Sequence, residues 1–208
     1  MNSWVPKYSQ QTLEKNLSKA KCDVNGSIYQ NYHLIPVHRA TFMYLFSEIV
    51  KYAMQTSKNL DDAQSKLASF GAPIGRQMLD LVFLRERLQK REIRLLNFLV
   101  FLKSTFWRCI FGKEADDLER DGLDEHTYYM IEREPVVNKF TRFTYDHSES
   151  ERKIVPLNLA AFNCGIIESA LTCAGFPCEV AITWHKGTTY VIKFHDSVIA
   201  REQGLDSR

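Results

Sequence analysis

The fold of this chain is decided by residues 155–195, which read VPLNLAAFNCGIIESALTCAGFPCEVAITWHKGTTYVIKFH. The half that ends at Gly175 predicts a helix buried on most sides, because its polar residues form one narrow stripe. Gly175 takes the usual place of a glycine after a helix, and Pro177 follows it. The second half alternates with period two and predicts a two-stranded hairpin, in which Gly187 supplies the positive φ of a tight turn. An isolated hairpin is marginally stable in water, so it must join more strands and pack on helices.

Upstream residues predict further helices. Apolar side chains recur at helical spacing through residues 39–57, and residues 92–111 form a strongly apolar helix. Two shorter helices are predicted between them, at residues 61–70 and 73–89, and Gly71–Gly75 is interpreted as the turn that joins those two.

Two further strands complete the predicted elements. They cover residues 127–133 and 136–145, and they follow an acidic connector at residues 113–126. The order of several helices, two strands, one helix and two strands is typical of an α+β protein. We therefore expect a single domain in which a twisted four-stranded antiparallel sheet carries a helical layer on one face.

The domain boundaries follow from this order. Residues 1–37 are polar and weakly patterned, and they predict a loosely ordered N-terminal arm. Residues 38–203 form the predicted α+β domain, and residues 204–208 form a C-terminal tail. Within these limits, residues 22–37 look irregular, with Gly26 and Pro36 as breakers, and residues 146–153 are interpreted as a charged loop insertion.

Composition excludes several classes of protein. The net charge is +2 and no basic stripe interleaved with aromatic residues is present, so we expect no nucleic-acid partner. We find no signal peptide and no apolar run long enough to cross a membrane. Asn2 stands where N-myristoylation requires glycine, and the last residues, LDSR, carry no prenylation box. The five cysteines show no metal-ligand spacing, so a cytoplasmic protein with reduced thiols is expected.

Catalytic patterns are also missing from the sequence. Cys164 lies in the middle of the predicted buried helix, whereas a catalytic thiol needs an electropositive and partly open setting. His185 and Lys186 have no orienting carboxylate in a recognisable motif and are interpreted as turn residues. No calcium loop, phosphate-binding glycine loop or dinucleotide fingerprint occurs. We expect a protein that is not an enzyme and that needs no cofactor and no metal.

Surplus apolar surface on the helix at residues 39–57 favours a protein that binds other proteins. Its apolar face is wider than a single stripe and includes the aromatic residues Phe42 and Phe46. The cores of protein interfaces are enriched in aromatic residues. The substitution Phe46→Asp is therefore expected to leave the chain folded and to remove it from its assembly. The predicted interface residues are Phe42, Leu45, Phe46, Ile49, Val50 and Ala53.

Two alternatives remain open from the residues alone. The apolar helix at residues 92–111 could line a cavity, which would make the chain a stand-alone module that holds a small apolar ligand. A thiol enzyme that uses Cys164 is the other, and it predicts rapid labelling of that thiol in the folded protein.

Longer blocks of sequence carry a resemblance to a known family. They are LFSEIVKYA (45–53), LRERLQKREIRLLNFLVFLK (84–103), FGKEADDLE (111–119), YYMIEREPVVN (128–138), NCGIIESALTCAGFPCEV (163–180) and WHKGTTYVIKF (184–194). They resemble the small subunits of the TRAPP vesicle-tethering complex, and the resemblance covers residues 40–203. The family-motif positions are Gly71, Gly75, Gly112, Glu132, Arg133, Glu134, Pro135, Gly165, Gly175, Trp184, His185, Lys186 and Gly187.

The resemblance implies a function as well as a fold. It implies a scaffold subunit that pairs through its helices with a small subunit of the same fold and bridges it to a longin-type subunit. The complex would act in vesicle transport from the endoplasmic reticulum to the Golgi and as a nucleotide exchange factor for a Rab-type GTPase. The GTPase would be reached only through the complex. The chain would be cytoplasmic and peripheral at those membranes, and its contact with them would be indirect.

One feature departs from the family. In a well-known member of the family that this chain resembles, a cysteine ahead of the most apolar helix carries a fatty acid. Here residues 85–95 contain no cysteine, and none lies between Cys22 and Cys109. We therefore expect no acylation at that position.

Overall fold

A layer of helices and a layer of strands make up the part of the chain that this computed structural model describes, namely residues 39–86, 92–139, 144–145 and 155–206. Residues Ala40–Arg208 form one unit. The predicted N-terminal arm (1–37) and the charged loop (146–153) lie outside the described residues.

Two long helices open the described chain. Helix α1 spans Arg39–Thr56 and helix α2 spans Leu60–Arg85. Asn59 caps α2, because its side chain accepts a hydrogen bond from the Asp62 amide at 2.8 Å. Asp61 and Asp62 occupy the first turn, where the helix dipole favours negative charge. The prediction of a helix at residues 39–57 is confirmed to within one residue.

The apolar helix predicted at residues 92–111 begins three residues later and contains a π-helical turn. It consists of α3 (Leu95–Phe101), the π-helical turn Leu102–Phe106 and α4 (Trp107–Phe111). Gly112 ends it with a φ of 75°. Inside the π-helical turn, the Lys103 carbonyl accepts a hydrogen bond from the Ala115 amide at 3.1 Å. This bond fixes the segment that leads into the sheet.

The remaining elements alternate strands with helices. In chain order they are β1 (Asp117–Arg120), β2 (Thr127–Glu132), α5 (Val136–Lys139), β3 (Thr144–Tyr145), β4 (Val155–Pro156), α6 (Ala161–Cys173), β5 (Cys178–Trp184), β6 (Thr188–Phe194) and α7 (Asp196–Asp206). The main sheet has the order β1-β2-β6-β5, and every neighbouring pair is antiparallel. β3 pairs with β4 in a separate two-stranded sheet. The predicted α+β fold with a four-stranded antiparallel sheet is therefore confirmed.

One predicted strand is wrong, and another strand takes its place. In the described part of residues 136–145, the first four form α5, and Thr144–Tyr145 is a strand that lies outside the main sheet. The fourth strand is instead β1, inside the segment interpreted as an acidic connector. β1 reads DLER, so one apolar residue in four gives no visible alternation, and its pairing with β2 defines it as a strand.

Helix α2 is continuous, whereas the sequence predicted two helices with a turn at Gly71–Gly75. Pro73 lies inside the helix on an exposed side. A proline in a helix removes one backbone hydrogen bond, and that loss must be offset elsewhere. Here the glycines on either side of Pro73 pack against α6, so tertiary contact stabilises a segment that local rules would interrupt.

The crossing of α2 and α6 is the centre of the core. Nine of the thirteen residues of α6 are buried, which confirms the predicted buried helix. A Cβ atom on Gly165 would lie 1.8 Å from the Ala68 carbonyl oxygen, and one on Gly71 would lie 2.1 Å from the Phe162 carbonyl oxygen. The two backbones approach so closely that only glycine fits at these positions.

The C-terminal boundary differs from the predicted one. Helix α7 continues to Asp206, so the limit expected at residue 203 falls inside a helix, and residues 204–206 do not form a separate tail. Val198 and Ile199 of this helix are buried and pack in the core.

Candidate subunit interface

Half of the interface predicted on α1 is part of the core. Phe46, Val50 and Ala53 are at most 1% exposed. The Phe46 ring meets the Phe162 ring of α6 edge to face, with 5.3 Å between the ring centroids. These three side chains cannot contact a partner, so the prediction is corrected for them. The burial of Phe46 leads to the opposite prediction for Phe46→Asp, because a charge at that position would be buried and should destabilise the chain.

The other three predicted residues reach the surface to different degrees. Leu45 is 61% exposed, whereas Phe42 and Ile49 are half-buried. Tyr52 lies seven residues after Leu45, on the same side of the helix, and it is 57% exposed. Glu48 lies between them and pairs with Lys51 at 2.6 Å. α1 therefore carries a partly apolar exposed face.

Helix α2 carries an exposed apolar row that the sequence interpretation missed. Phe70, Ile74, Leu81 and Leu84 follow one another by four, seven and three residues, which places them on one side of the helix. The four side chains are between 37% and 69% exposed. The break predicted at Gly71–Gly75 had divided this row between two helices, so its continuity was invisible in the sequence.

The apolar faces of α1 and α2 meet at one aromatic contact. The rings of Tyr52 and Phe70 pack edge to face, with 6.1 Å between their centroids. We call the combined surface the outer stripe, and it consists of Leu45, Tyr52, Phe70, Ile74, Leu81 and Leu84. Contiguous exposed apolar surface of this kind marks interaction sites on soluble proteins.

The family-motif residues form two groups, one of which lies among the helices. Gly71, Gly75 and Gly165 allow the close crossing of α2 and α6. Gly112 and Gly175 follow α4 and α6 with φ of 75° and 89°. All five positions serve the packing or the ends of helices.

The second group of family-motif residues meets at one end of the sheet. The turn between β5 and β6 has positive φ at both Lys186 and Gly187, as predicted for Gly187. A Cβ atom on Gly187 would lie 2.8 Å from Cα of Arg133, so the turn rests directly on the end of β2. Asp116 accepts a hydrogen bond from the Arg133 amide at 2.8 Å. Lys186 pairs with Glu119 of β1 at 2.7 Å.

Glu132 is the buried polar centre of this end of the sheet. Its side chain is fully buried, and Lys113 Nζ lies 3.0 Å from its Oε1. Tyr190 donates a hydrogen bond to Glu132 Oε2 at 3.1 Å, and Asn163 Nδ2 donates to the Tyr190 hydroxyl at 2.8 Å. Burial, and then the nearby Glu132 carboxylate, raise the pKa of Tyr190 well above its usual value. The network joins β2, β6 and α6, which is a structural role.

Other motif residues remain at the surface. Trp184 is 62% exposed, and His185, Arg133 and Glu134 are exposed. Lys113 donates a hydrogen bond to the Glu134 carbonyl at 2.7 Å. Burial therefore divides this motif into a structural part and an accessible part.

Cys164 has the properties of a core cysteine. It is 3% exposed, and burial, with a smaller effect of the Glu168 carboxylate, raises the pKa of its thiol to about 12. A thiol in this state is protonated at neutral pH and is a poor nucleophile. In the described ranges, no group of three or more His, Cys, Asp or Glu side chains is placed to hold a metal ion. None of the described helices is long and apolar enough to span a membrane.

The comparison with protein families supplies the identification. Residues 42–195 match the family described as "Transport protein particle (TRAPP) component". The chain belongs to the TRAPP component family. This confirms the resemblance seen in the sequence blocks.

Individual TRAPP proteins agree with this assignment. The chain is 44% identical over 172 residues to "Trafficking protein particle complex subunit 5" of Gallus gallus, which spans 83% of this chain and 88% of the relative. It is 34% identical over 198 residues to the protein of that name from Dictyostelium discoideum, which spans 91% of this chain and 95% of the relative.

A solved TRAPP structure shares the fold. It is the crystal structure of a trafficking protein particle complex subunit 3 from Naegleria fowleri covalently bound to palmitic acid. Its TM-score is 0.62 at 13% sequence identity, and the match covers 76% of this chain and 95% of that one. At this identity the likeness concerns the fold alone.

Proposed function

We propose that this chain is a non-catalytic scaffold subunit of a TRAPP vesicle-tethering complex and that it binds a neighbouring small subunit through the outer stripe. The observation that carries the proposal is the continuous apolar row on α2, which α1 extends at the contact between Tyr52 and Phe70. Membership of the TRAPP component family and its relatives named as complex subunits support it. Leaving such a row in water costs free energy that a helix of a second subunit recovers by covering it.

Further parts of the proposal rest on the family. The partners are a small subunit of the same fold and a longin-type subunit, which this chain bridges. The assembly acts in transport from the endoplasmic reticulum to the Golgi and promotes nucleotide exchange on a Rab-type GTPase, which this chain reaches only through the complex. Fluorescent tagging tests the peripheral location at those membranes, and a uniform cytosolic signal would contradict it.

Co-purification tests the outer stripe. The double variant Leu81→Asp, Leu84→Asp places two charges on exposed positions of α2, so the chain should keep its thermal stability. Removing interface anchors costs about 2 kcal/mol or more each, so recovery of other subunits with the tagged chain should fall more than tenfold. The matched control is Asp80→Arg, an exposed position adjacent to the row, and it should co-purify normally. Normal recovery with the double variant would refute this surface as the interface.

Lipid binding is not part of the proposed function. The Naegleria relative is covalently bound to palmitic acid, whereas residues 85–95 of this chain contain no cysteine. The inner face of the apolar helix is filled by protein, because Phe98 packs on Phe176 at 5.1 Å and Trp107 on Tyr190 at 5.8 Å between ring centroids. This packing disfavours the alternative of a small apolar ligand held there, and native mass spectrometry tests it directly.

A further inference from the structure

The two edges of the sheet differ in their protection against pairing with another strand. β1 has four residues, DLER, and three of them are charged. β5 has seven residues, CEVAITW, with one charge and neither proline nor lysine. Natural proteins usually protect an exposed edge with charge, proline, a bulge or shortness. β1 has this protection and β5 lacks it, which indicates that another polypeptide segment covers the edge of β5.

Backbone geometry shows which groups of β5 are available. The His185 amide donates to the Gly187 carbonyl and the His195 amide donates to the Pro177 carbonyl, so odd-numbered residues of β5 face β6. Because an antiparallel ladder alternates, the N–H and C=O groups of even-numbered residues point to the open edge. Among the described residues, β5 has a hydrogen-bonded strand on the β6 side only.

A groove runs beside this edge. It has a volume of about 670 Å³ and lies between α2, α6 and β5, with Val180 and Ile182 on the strand side. The helix side is lined by small residues, including Ala68, Ser69 and Gly165. The groove therefore leaves space for a polypeptide backbone with small side chains next to the edge.

The described lining of this groove carries two acidic residues and one basic residue. Asp61 and Glu168 are exposed on its helical walls. Arg76 is the cationic residue among its described lining. An occupant with Lys or Arg would complement this charge.

We propose that an extended segment of another polypeptide, with small apolar side chains and at least one Lys or Arg, adds to β5 as a further strand. The outward N–H and C=O groups of β5, which no other described strand pairs, lie at strand spacing and match the backbone of an added strand, whereas a packed helix or a lipid chain offers no such pairing. This site involves different residues from the outer stripe, and the two contacts can be tested separately.

Photo-crosslinking in the host cell tests this site. The full-length chain carries benzoylphenylalanine at Ala181, an exposed position in the groove, and a control carries it at Arg120 on the protected edge. A crosslink from position 181 to a basic, extended segment of another protein is expected, and it should persist in the Leu81→Asp, Leu84→Asp variant. A crosslink that maps within the chain itself, or to a helical segment, would refute the proposal, as would no crosslink.

Variants of the edge sharpen the test. Val180→Pro removes one outward N–H while the ladder to β6 is kept, and Val180→Ala keeps that N–H as the matched control. Losing one backbone hydrogen bond with steric obstruction should lower the crosslink about tenfold in Val180→Pro and little in Val180→Ala. Glu168 is exposed on α6, so Glu168→Lys should leave the sheet intact. Because it replaces an acidic side chain of the groove with a basic one, it should lower the crosslink yield severalfold. Equal crosslinking in Val180→Pro and Glu168→Lys and in the unaltered chain would overturn the proposal.

Amide exchange of the purified full-length chain provides an independent measurement. The amides of Val180 and Ile182 should exchange quickly in the isolated chain, whereas the amides of Ala181 and Thr183 should be protected by β6. Slow exchange at Val180 and Ile182 would show that the chain covers its own edge, which would exclude a separate partner strand.

Discussion

Helix α2 presents two faces that are built from opposite kinds of residue. Toward α6 its side chains become small, and Gly71 and Gly75 allow a crossing at which added atoms would collide with backbone. On the outer stripe they are large, as with Leu81 and Leu84, and they remain exposed. A buried helix contact within one chain can use close backbone approach, whereas a contact with a second chain needs apolar area that is left uncovered until the partner arrives.

The largest expected effect comes from two neighbouring residues of α1 that belong to different regions. Phe46→Asp buries a charge beside Phe162 and should destabilise the chain by about 4 kcal/mol or more, whereas Leu45→Asp lies at the exposed surface and should leave its stability unchanged. Thermal denaturation of the two purified variants checks this. A folded Phe46→Asp protein would show that the boundary between core and interface is misplaced.

A smaller loss of stability is expected from one added methyl group at the helix crossing. Gly165→Ala would place Cβ 1.8 Å from the Ala68 carbonyl oxygen, so α2 and α6 must separate, at a cost of about 3 kcal/mol. The matched control is Gly204→Ala in α7, where a Cβ atom meets nothing within 4 Å and alanine favours the helix. Chemical denaturation measures both free energies of unfolding. Equal stability of the two variants would contradict the close crossing.

The smallest expected effect concerns the chemical labelling of two cysteines of α6, one buried and one half-exposed, and it requires no substitution. Burial raises the pKa of Cys164 from its usual 9.0 to about 12, which lowers the thiolate fraction at pH 8 about a thousandfold. Cys173 lies half-exposed on the same helix. Iodoacetamide should therefore label Cys173 much faster than Cys164 in the folded chain, and mass spectrometry of peptides would follow both.

Labelling also depends on pH in a defined direction. Because the folded chain keeps the pKa of Cys164 raised, its labelling should accelerate only as the pH rises toward about 12. In denaturant both thiols should react alike near their ordinary pKa. Fast labelling of folded Cys164 near pH 7 would contradict its burial and would return the thiol-enzyme hypothesis to consideration.

Local patterns predicted the parts of the fold that local forces determine. The buried α6 and the hairpin of β5 and β6 follow from periodicity and from the glycines at Gly175 and Gly187. β1 was missed because an edge strand with three charges in four residues lacks alternation. The continuity of α2 was missed because the contact that tolerates Pro73 is made by a helix about 90 residues later in the chain.

The candidate interface was only partly predictable for the same reason. The sequence identifies the apolar side chains of α1 but does not say which of them another helix of the chain will cover. Phe46 and Val50 are covered by the core and Leu45 is not. The outer stripe on α2 depended on knowing that one helix, and not two, passes through Gly71–Gly75.

The buried carboxyl group of Glu132 has a consequence for the register of β2 and β6. Its partner Tyr190 reaches it because β2 and β6 pair Glu132 with Thr188 and Met130 with Tyr190. A slip of two residues would preserve the inside-outside alternation of both strands, so apolar burial alone would tolerate it. It would also move Tyr190 relative to the buried Glu132 side chain and disturb the hydrogen bond between them, and a poorly satisfied buried polar group is unfavourable. The hydrogen bond between Glu132 and Tyr190 therefore favours the observed register of β2 and β6.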